Sequence, residues 1–179
     1  MDLFAKNYKD LPGYPCAWSS PRVAGHEPAH RYTLWRVFTP APPKRIFCCI
    51  GLNPSVATED LDDPTIRRVI SFAKRENCDA LVMLNIFAFR STDPQDMRAA
   101  SDPIGPENDE WLLRCSSIAA ITIAAWGTHG EFEKRGAKVA AMIPNLLCLG
   151  MTKGGFPRHP LYVDGSTSLE PYIPKVTTA

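Results

Sequence analysis

Four runs of apolar residues, each followed by a turn signal, dominate the pattern of hydrophobic and polar positions along the chain. A continuous apolar run of this kind is typical of a strand that is buried on both faces of a parallel sheet. We therefore predict four parallel strands at the centre of the fold. They lie at 45–52, 80–85, 118–126 and 146–149.

Segments with helical character separate these runs. Asp63-Pro64-Thr65 predicts a helix start, because Asp caps helices well and Pro suits the first turn. Further helices are predicted at 106–117 and 131–142. Strands that alternate with helices indicate a mostly parallel sheet with helices on both faces. We therefore expect an α/β fold, a three-layer sandwich around a four-stranded central sheet.

The ends of the chain lie outside this alternation. The run at 31–38 (R-Y-T-L-W-R-V-F) alternates polar and apolar residues, which predicts a half-buried edge strand. Residues 1–30 are rich in Pro, Gly and Ser and predict an irregular arm. The tail from Gly165 onward is expected to pack without regular structure. With no linker or repeat in the sequence, we expect one domain over 1–179.

Composition places few limits on the partner. Apolar residues make up 45% of the chain, enough for a sizeable core, and the formal net charge is only +1. A nucleic-acid-binding protein of this size is often more basic, although net charge hides local asymmetry. The first residues lack the apolar stretch of a signal peptide, and no run is long enough to cross a membrane. We expect a cytoplasmic monomer without a membrane partner.

Two sequence patterns resemble metal-binding motifs, but each has a more suitable structural explanation. The segment at 26–30 matches H-E-x-x-H, but that zinc motif requires a helix, which Pro28 and the following strand disfavour. The acidic cluster at 59–63 suits magnesium or, alternatively, a solvated helix approach capped by Asp62 or Asp63. The six cysteines form no C-x-x-C pair, so neither a zinc site nor a disulfide framework is expected. We expect no metal and no cofactor.

Candidate site residues follow the ends of the predicted strands, where parallel sheets bind their ligands. Asn53 and Ser55 follow the first run, and Asn85 ends the second. A carboxamide offers both a donor and an acceptor, which suits the edge of a base, although turn-capping explains either Asn equally well. Arg90 is expected to contact phosphate or to pair with Asp93.

A stiff loop at 155–161 (G-F-P-R-H-P-L) follows the fourth run. It holds His159 between Arg158 and Pro160. We expect the neighbouring Arg158 to disfavour the imidazolium, so that His159 stays neutral. A lone loop histidine is usually only solvated, but one in a proline-restricted loop beyond a buried strand is a better site candidate.

These segments, in order, resemble the motifs of the uracil-DNA glycosylase superfamily. G-L-N-P-S at 51–55 is similar to the first motif, V-M-L-N at 82–85 to a strand-end motif, A-A-W-G at 124–127 to a third, and R-H-P-L-Y at 158–162 to the H-P-S-P-L loop. The chain also resembles an uncharacterised bacterial and phage family with L-N-P-S-x-A, D-P-T-I-R-R, N-x-F-A-x-R and R-H-P-L-Y motifs. The resemblance implies a uracil-DNA glycosylase-like fold.

The resemblance also implies roles for individual residues. Asn53 would position the attacking water, His159 would stabilise the departing base, and Asn85 would bind the base edge. Leu161 would wedge into the duplex. The remaining substrate contacts would come from Ser55, Arg90, Trp126 and Arg158.

The sequence departs from the uracil-specific branch at the first motif. Its Asp is absent, and Ser55 stands where a Tyr excludes a 5-methyl group. We expect a DNA glycosylase-like hydrolase that cleaves the N-glycosidic bond of a damaged or modified pyrimidine, 5-substituted ones included. Two alternatives stay open: a nucleotide- or base-modifying enzyme that does not excise, and a non-catalytic nucleic-acid-binding module. The expected partner is DNA or a nucleotide.

Overall fold

The computed structural model describes residues 16–18, 29–58 and 60–174. The strands in these residues are β1 Cys16–Trp18, β2 Arg31–Val37, β3 Ile46–Gly51, β4 Ala80–Asn85, β5 Ile121–Ala124, β6 Leu147–Cys148 and β7 Glu170–Pro171. The α-helices are α1 Pro64–Arg75, α2 Pro94–Ala99, α3 Asn108–Ile118 and α4 Arg135–Met142. Two 3₁₀ segments, Thr128–Lys134 and Pro160–Tyr162, complete the regular structure of the described part.

One mixed sheet contains all of these strands, in the order β1-β2-β4-β3-β5-β6-β7. The four central strands, β4, β3, β5 and β6, run parallel and correspond to the four predicted apolar runs. In β3 and β4 each residue is buried, as expected for strands covered on both faces. Their register pairs Ile46 with Ala80 and Gly51 with Asn85. The predicted parallel centre is therefore confirmed.

Helices cover both faces of the sheet. On one face, α1 packs Val69 and Phe72 against Phe47 of β3. On the other, α3 and α4 contribute Leu112 and Val139 to a second cluster around β3 and β4. The layers are thus helix, sheet and helix, in agreement with the predicted α/β class.

The sheet edges differ from the sequence-based expectation. The strand predicted at an edge, β2, pairs with β1 on one side and β4 on the other, and its first five residues are buried. Most of the predicted irregular arm, 1–30, lies outside the described residues, but Cys16–Trp18 supplies the strand that covers β2. Arg31 and Thr33 of β2 are therefore buried in the sheet, where the alternating pattern suggested exposure to solvent.

The tail is also more ordered than predicted. β7 pairs antiparallel with β6, and Tyr172 beyond it contacts Trp126 edge to face, with ring centroids 5.5 Å apart. Pro171 is tolerated because β7 is an edge strand of the described sheet, where one missing donor breaks no ladder. A further helix, α2, is not among the predicted helices; Asp93 caps it by accepting the Gln95 N–H.

No helix in 29–58 or 60–174 is both long and apolar enough to cross a membrane.

Trp126, just beyond β5, is a rigid core element. Its side chain is 2% exposed, and its indole packs directly against two glycines. A Cβ on Gly130 would lie 2.1 Å from the indole Cδ1, and one on Gly136 would lie 2.6 Å from the indole Nε1. Two glycines therefore let the segment after β5 fold closely over the tryptophan.

Gly136→Ala should test this packing, because Gly136 lies inside α4. Overpacking costs about 1–3 kcal/mol, against a gain of about 1 kcal/mol in helix propensity. We expect the free energy of unfolding, measured by urea denaturation, to fall by up to about 2 kcal/mol on that balance. The exposed neighbour Ala137, changed to Gly, measures the propensity alone. A stabilised Gly136→Ala protein would contradict the close contact.

Candidate functional site

A cavity of about 770 Å³ opens at the carboxyl ends of the parallel strands. The strand order places β4 on one side of β3 and β5 on the other, so the connections after β3 and β5 diverge at this point. Such a switch point is where open α/β sheets bind ligands, and the cavity volume falls in the range of ligand pockets. Six of the predicted site residues line it: Asn53, Ser55, Asn85, Trp126, Arg158 and His159.

The loop after β3 is held by the loop after β4. Backbone N–H groups of Ile86 and Ser91 donate to the carbonyls of Gly51 and Pro54, each at 3.0 Å. Asn53 joins this pairing, since its Nδ2 donates to the Ser91 carbonyl at 2.8 Å and to that of Pro54 at 3.2 Å. The amide nitrogen is thus committed to the loop, and Oδ1 is left as the acceptor of Asn53.

Asn85 ends β4 with its side chain packed over Gly51. A Cβ on Gly51 would lie 2.8 Å from Asn85 Oδ1, so the absence of a side chain makes room for the amide. Asn85 is 4% exposed and lines the cavity. Its backbone carbonyl accepts Asn108 Nδ2 at 3.1 Å. Strand, glycine and helix together fix the position of this amide.

Two buried polar residues that the sequence did not single out support this strand end. Arg135 of α4 is 2% exposed, and its Nε donates to the Ile86 carbonyl at 2.8 Å. The same guanidinium bonds Asp109. Asn108 of α3, 1% exposed, donates to the carbonyls of both Asn85 and Ile86. From the sequence alone, a single polar residue on the buried side of a helix cannot be distinguished from the polar residues on its exposed side.

Arginines also hold the segment between β3 and α1. Arg31, which is buried and lines the cavity, donates to the Ala57 carbonyl. Arg36 Nη2 donates to the Thr58 carbonyl at 2.7 Å. Arg90 Nε donates to the Ser55 carbonyl at 3.2 Å. Arg90 is not among the residues that line the cavity, and this bond gives it a structural position at the base of the loop.

The acidic cluster at 59–63 takes part in the same support. Asp62 pairs with Arg36 Nε at 2.7 Å, and Asp63 caps α1 by accepting the Ile66 N–H at 2.8 Å. Glu59 lies outside the described residues. Within the described residues no group of three or more His, Cys, Asp or Glu is placed to hold a metal. In the H-E-x-x-H segment, residues 26–28 lie outside the described part, and His30 bonds the Asp102 carbonyl at 2.8 Å.

His159 lies at the cavity wall in a defined orientation. Its Nδ1 accepts the Leu161 N–H at 3.4 Å, so the neutral ring carries its proton on Nε2. Burial lowers the pKa of His159, and the negative charge of Asp63 opposes that shift. The direction is the one expected from the sequence, but the cause is desolvation and not Arg158, whose Nε donates to the Met151 carbonyl.

A second histidine, His129, lines the cavity from the segment after β5. Its ring Nδ1 lies 2.8 Å from Arg98 Nη2. Because a guanidinium only donates, this nitrogen is the acceptor and the neutral ring carries its proton on Nε2. His129 lies three residues past Trp126, beyond the end of a predicted strand, and this position could have identified it as a site candidate from the sequence.

Of the two remaining predicted substrate contacts, Trp126 and Leu161, only Trp126 lines the cavity. Its indole is buried, however, and its Nε1 has no hydrogen-bond partner in the described residues. The ring therefore belongs to the core that borders the cavity. Leu161 is 42% exposed and is not among the lining residues. Its neighbour Tyr162, 82% exposed, does line the cavity. Val56 forms a second exposed apolar part of the rim.

A protein-family model described as "Protein of unknown function (DUF1643)" matches residues 31–161. The chain belongs to this family. The match covers β2 through the 3₁₀ turn that carries Leu161, and so includes nearly all of the cavity. No curated protein and no solved structure matches the chain.

The pKa of His159 should lie below its ordinary value of 6.5 in an NMR titration of the imidazole resonances. The folded state then binds the proton more weakly than the unfolded chain does. The free energy of unfolding should therefore fall as the pH drops from about 6.5 towards the lower folded-state pKa. His159→Gln should remove that component of the pH dependence. A pKa at or above the ordinary value would contradict the partly buried, neutral ring.

Proposed function

We propose that this protein is a glycosylase-like hydrolase that cleaves the N-glycosidic bond of a damaged or modified pyrimidine in DNA. One observation carries the proposal: Asn53, Asn85 and His159 come from three separate strand ends and line the same cavity. The motif resemblance assigns to these three residues water placement, base binding and leaving-group stabilisation. A uracil-DNA glycosylase-like fold is part of the same proposal, supported by the parallel centre of the sheet.

The hydrogen bonds of the site suit these roles. Asn53 Oδ1 has no donor among the described residues and offers a water an acceptor, while its Nδ2 is fixed by Ser91. His159 offers Nε2–H, because Nδ1 is occupied by the Leu161 N–H. When the glycosidic bond breaks, negative charge develops on the base, and a fixed neutral donor stabilises that charge without reorganising.

Asn85 is suited to recognise the base. Its amide lies at the cavity wall and bonds no other described side chain, so both its donor and its acceptor are available to a ligand. A flipped base is recognised through hydrogen bonds to its polar edge. The apolar rim that Val56 and Tyr162 form beside Leu161 provides surfaces on which the neighbouring bases can stack.

A second candidate retains the cavity and changes the reaction. Asp63 lines the cavity, and a carboxylate there repels a phosphate backbone. That repulsion favours a free nucleoside or base as substrate, modified without excision. Mass spectrometry after incubation with oligonucleotides that carry a panel of modified bases distinguishes the outcomes. Excision leaves an abasic strand and a free base, modification changes the mass of an intact strand or nucleoside, and a binding module leaves every mass unchanged.

His159→Ala should lower the single-turnover rate of base excision by about 100- to 1,000-fold, the usual effect of removing one transition-state donor. DNA affinity, titrated at fixed salt, should change little, because phosphate contacts dominate binding. His30→Ala is the matched control, since His30 is not among the residues that line the cavity. Retention of the full rate by His159→Ala would contradict the assignment. Parallel loss of rate and affinity would make the loop a DNA-binding element.

Ser55→Tyr should narrow the substrate range. Ser55 lines the cavity, and its small side chain leaves space that a tyrosine ring would fill. We expect the variant to lose turnover of a 5-substituted pyrimidine far more than turnover of uracil, measured as kcat/KM on matched oligonucleotides. Ser55→Ala is the control for loss of the hydroxyl alone. Equal losses on both substrates would show that Ser55 does not face the 5-position.

A further inference from the structure

None of the residues given a role in the proposed reaction so far can take a proton from water. Asn53 is placed where the resemblance puts the water, but a carboxamide is not a base. Among the described residues that line the cavity, Asp63 is the acidic one. The sequence indicates only a helix cap at Asp63, because this residue lies ten positions beyond the Asn of the first motif.

The position of Asp63 is well defined. One carboxylate oxygen, Oδ1, accepts the Ile66 N–H at 2.8 Å, which fixes the side chain and leaves Oδ2 for other contacts. The start of α1 is the positive end of the helix dipole, where a negative charge is stabilised. The 3₁₀ turn that His159 caps packs against α1.

Other ionisable groups line the cavity together with this carboxylate. Arg31 comes from β2, His129 from the segment after β5, and Arg158 and His159 from the loop after β6. The negative charge of Asp63 raises the pKa of His159 against the effect of burial, so the two side chains interact electrostatically. The cavity thus combines a carboxylate with a neutral imidazole donor, a pairing suited to acid–base chemistry.

We propose that Asp63 is the general base of the reaction and accepts a proton from the water that Asn53 positions. This inference rests on the proposed glycosylase function. The water oxygen bonds to the sugar carbon C1′ as its proton passes to Asp63. The C1′–N bond breaks, and its electron pair leaves with the base, which His159 stabilises through Nε2–H. Asp63 then releases its proton to solvent and the base anion takes one up, so the net reaction adds water across the bond.

Asp63→Asn separates this role from helix capping. Asparagine caps a helix about as well as aspartate, so the fold and the thermal midpoint should be retained. The single-turnover rate should fall by about 100- to 10,000-fold, the usual contribution of a general base. Asp93→Asn is the matched control, because Asp93 also caps a helix, α2, directly before a proline and is not among the lining residues. It should keep the wild-type rate.

Two further measurements do not depend on the size of that rate loss. The limb of the pH–rate profile that reports a carboxylate should disappear in Asp63→Asn. The pKa of His159, measured by NMR in the same variant, should fall further, because a charge that raises it is gone. An unchanged His159 pKa would overturn the placement of the carboxylate beside the imidazole.

The outcomes separate this inference from the proposed function. An active wild-type protein whose Asp63→Asn variant keeps the full rate would overturn the general-base role alone and leave Asp63 a helix cap. A wild-type protein that excises no base from the panel would overturn the glycosylase function and the general-base role together. Loss of rate in Asp93→Asn equal to that in Asp63→Asn would show that capping, and not the base, matters.

Discussion

The close approach of Gly51 and Asn85 is the constraint on which the site depends. Parallel pairing of β3 and β4 sets these two residues opposite each other at the last position of the register. The amide of Asn85 can lie at the cavity wall only because Gly51 has no Cβ, which would come within 2.8 Å of Asn85 Oδ1. A Cβ at Gly51 would also lie 2.7 Å from Met83 Cε, so a side chain there requires these two side chains to move or the strand ends to separate.

The loops beyond these strands are held mainly by hydrogen bonds to their backbone. Five side chains donate to carbonyls of the segments after β3 and β4: Arg31, Arg36, Arg90, Arg135 and Asn108. A buried carbonyl left without a partner costs about 1–3 kcal/mol, so each donor stabilises one geometry of the loop over its alternatives. The cavity wall is consequently preorganised, and the polar atoms that remain for a ligand, such as Asn53 Oδ1, are held in fixed directions.

The sequence predicted the centre of this fold well and its edges poorly, for one physical reason. Strands buried on both faces carry a continuous apolar run, and β4 begins and ends where that run does. β7 has two residues and α2 has six, too few for a periodic pattern, and they exist because β6 and Asp93 offer them partners. The type of an element was predictable where burial alone determines it, and unpredictable where a tertiary contact determines it.

The same distinction holds for the site. Because ligands bind beyond the ends of parallel strands, the sequence alone was enough to assign Asn53, Asn85 and His159 to one cavity. It was not enough to place Asp63, which lies at that cavity from the start of a helix.

The contact between β7 and the core bears on how the protein is made. Tyr172 covers one edge of Trp126, and the backbone after Trp126 carries His129. During synthesis Tyr172 leaves the ribosome after the residues of the cavity wall, so β6 and Trp126 are first exposed with that side uncovered. The core packing of Trp126 is therefore completed only after the segment that carries Tyr172 has emerged and docked.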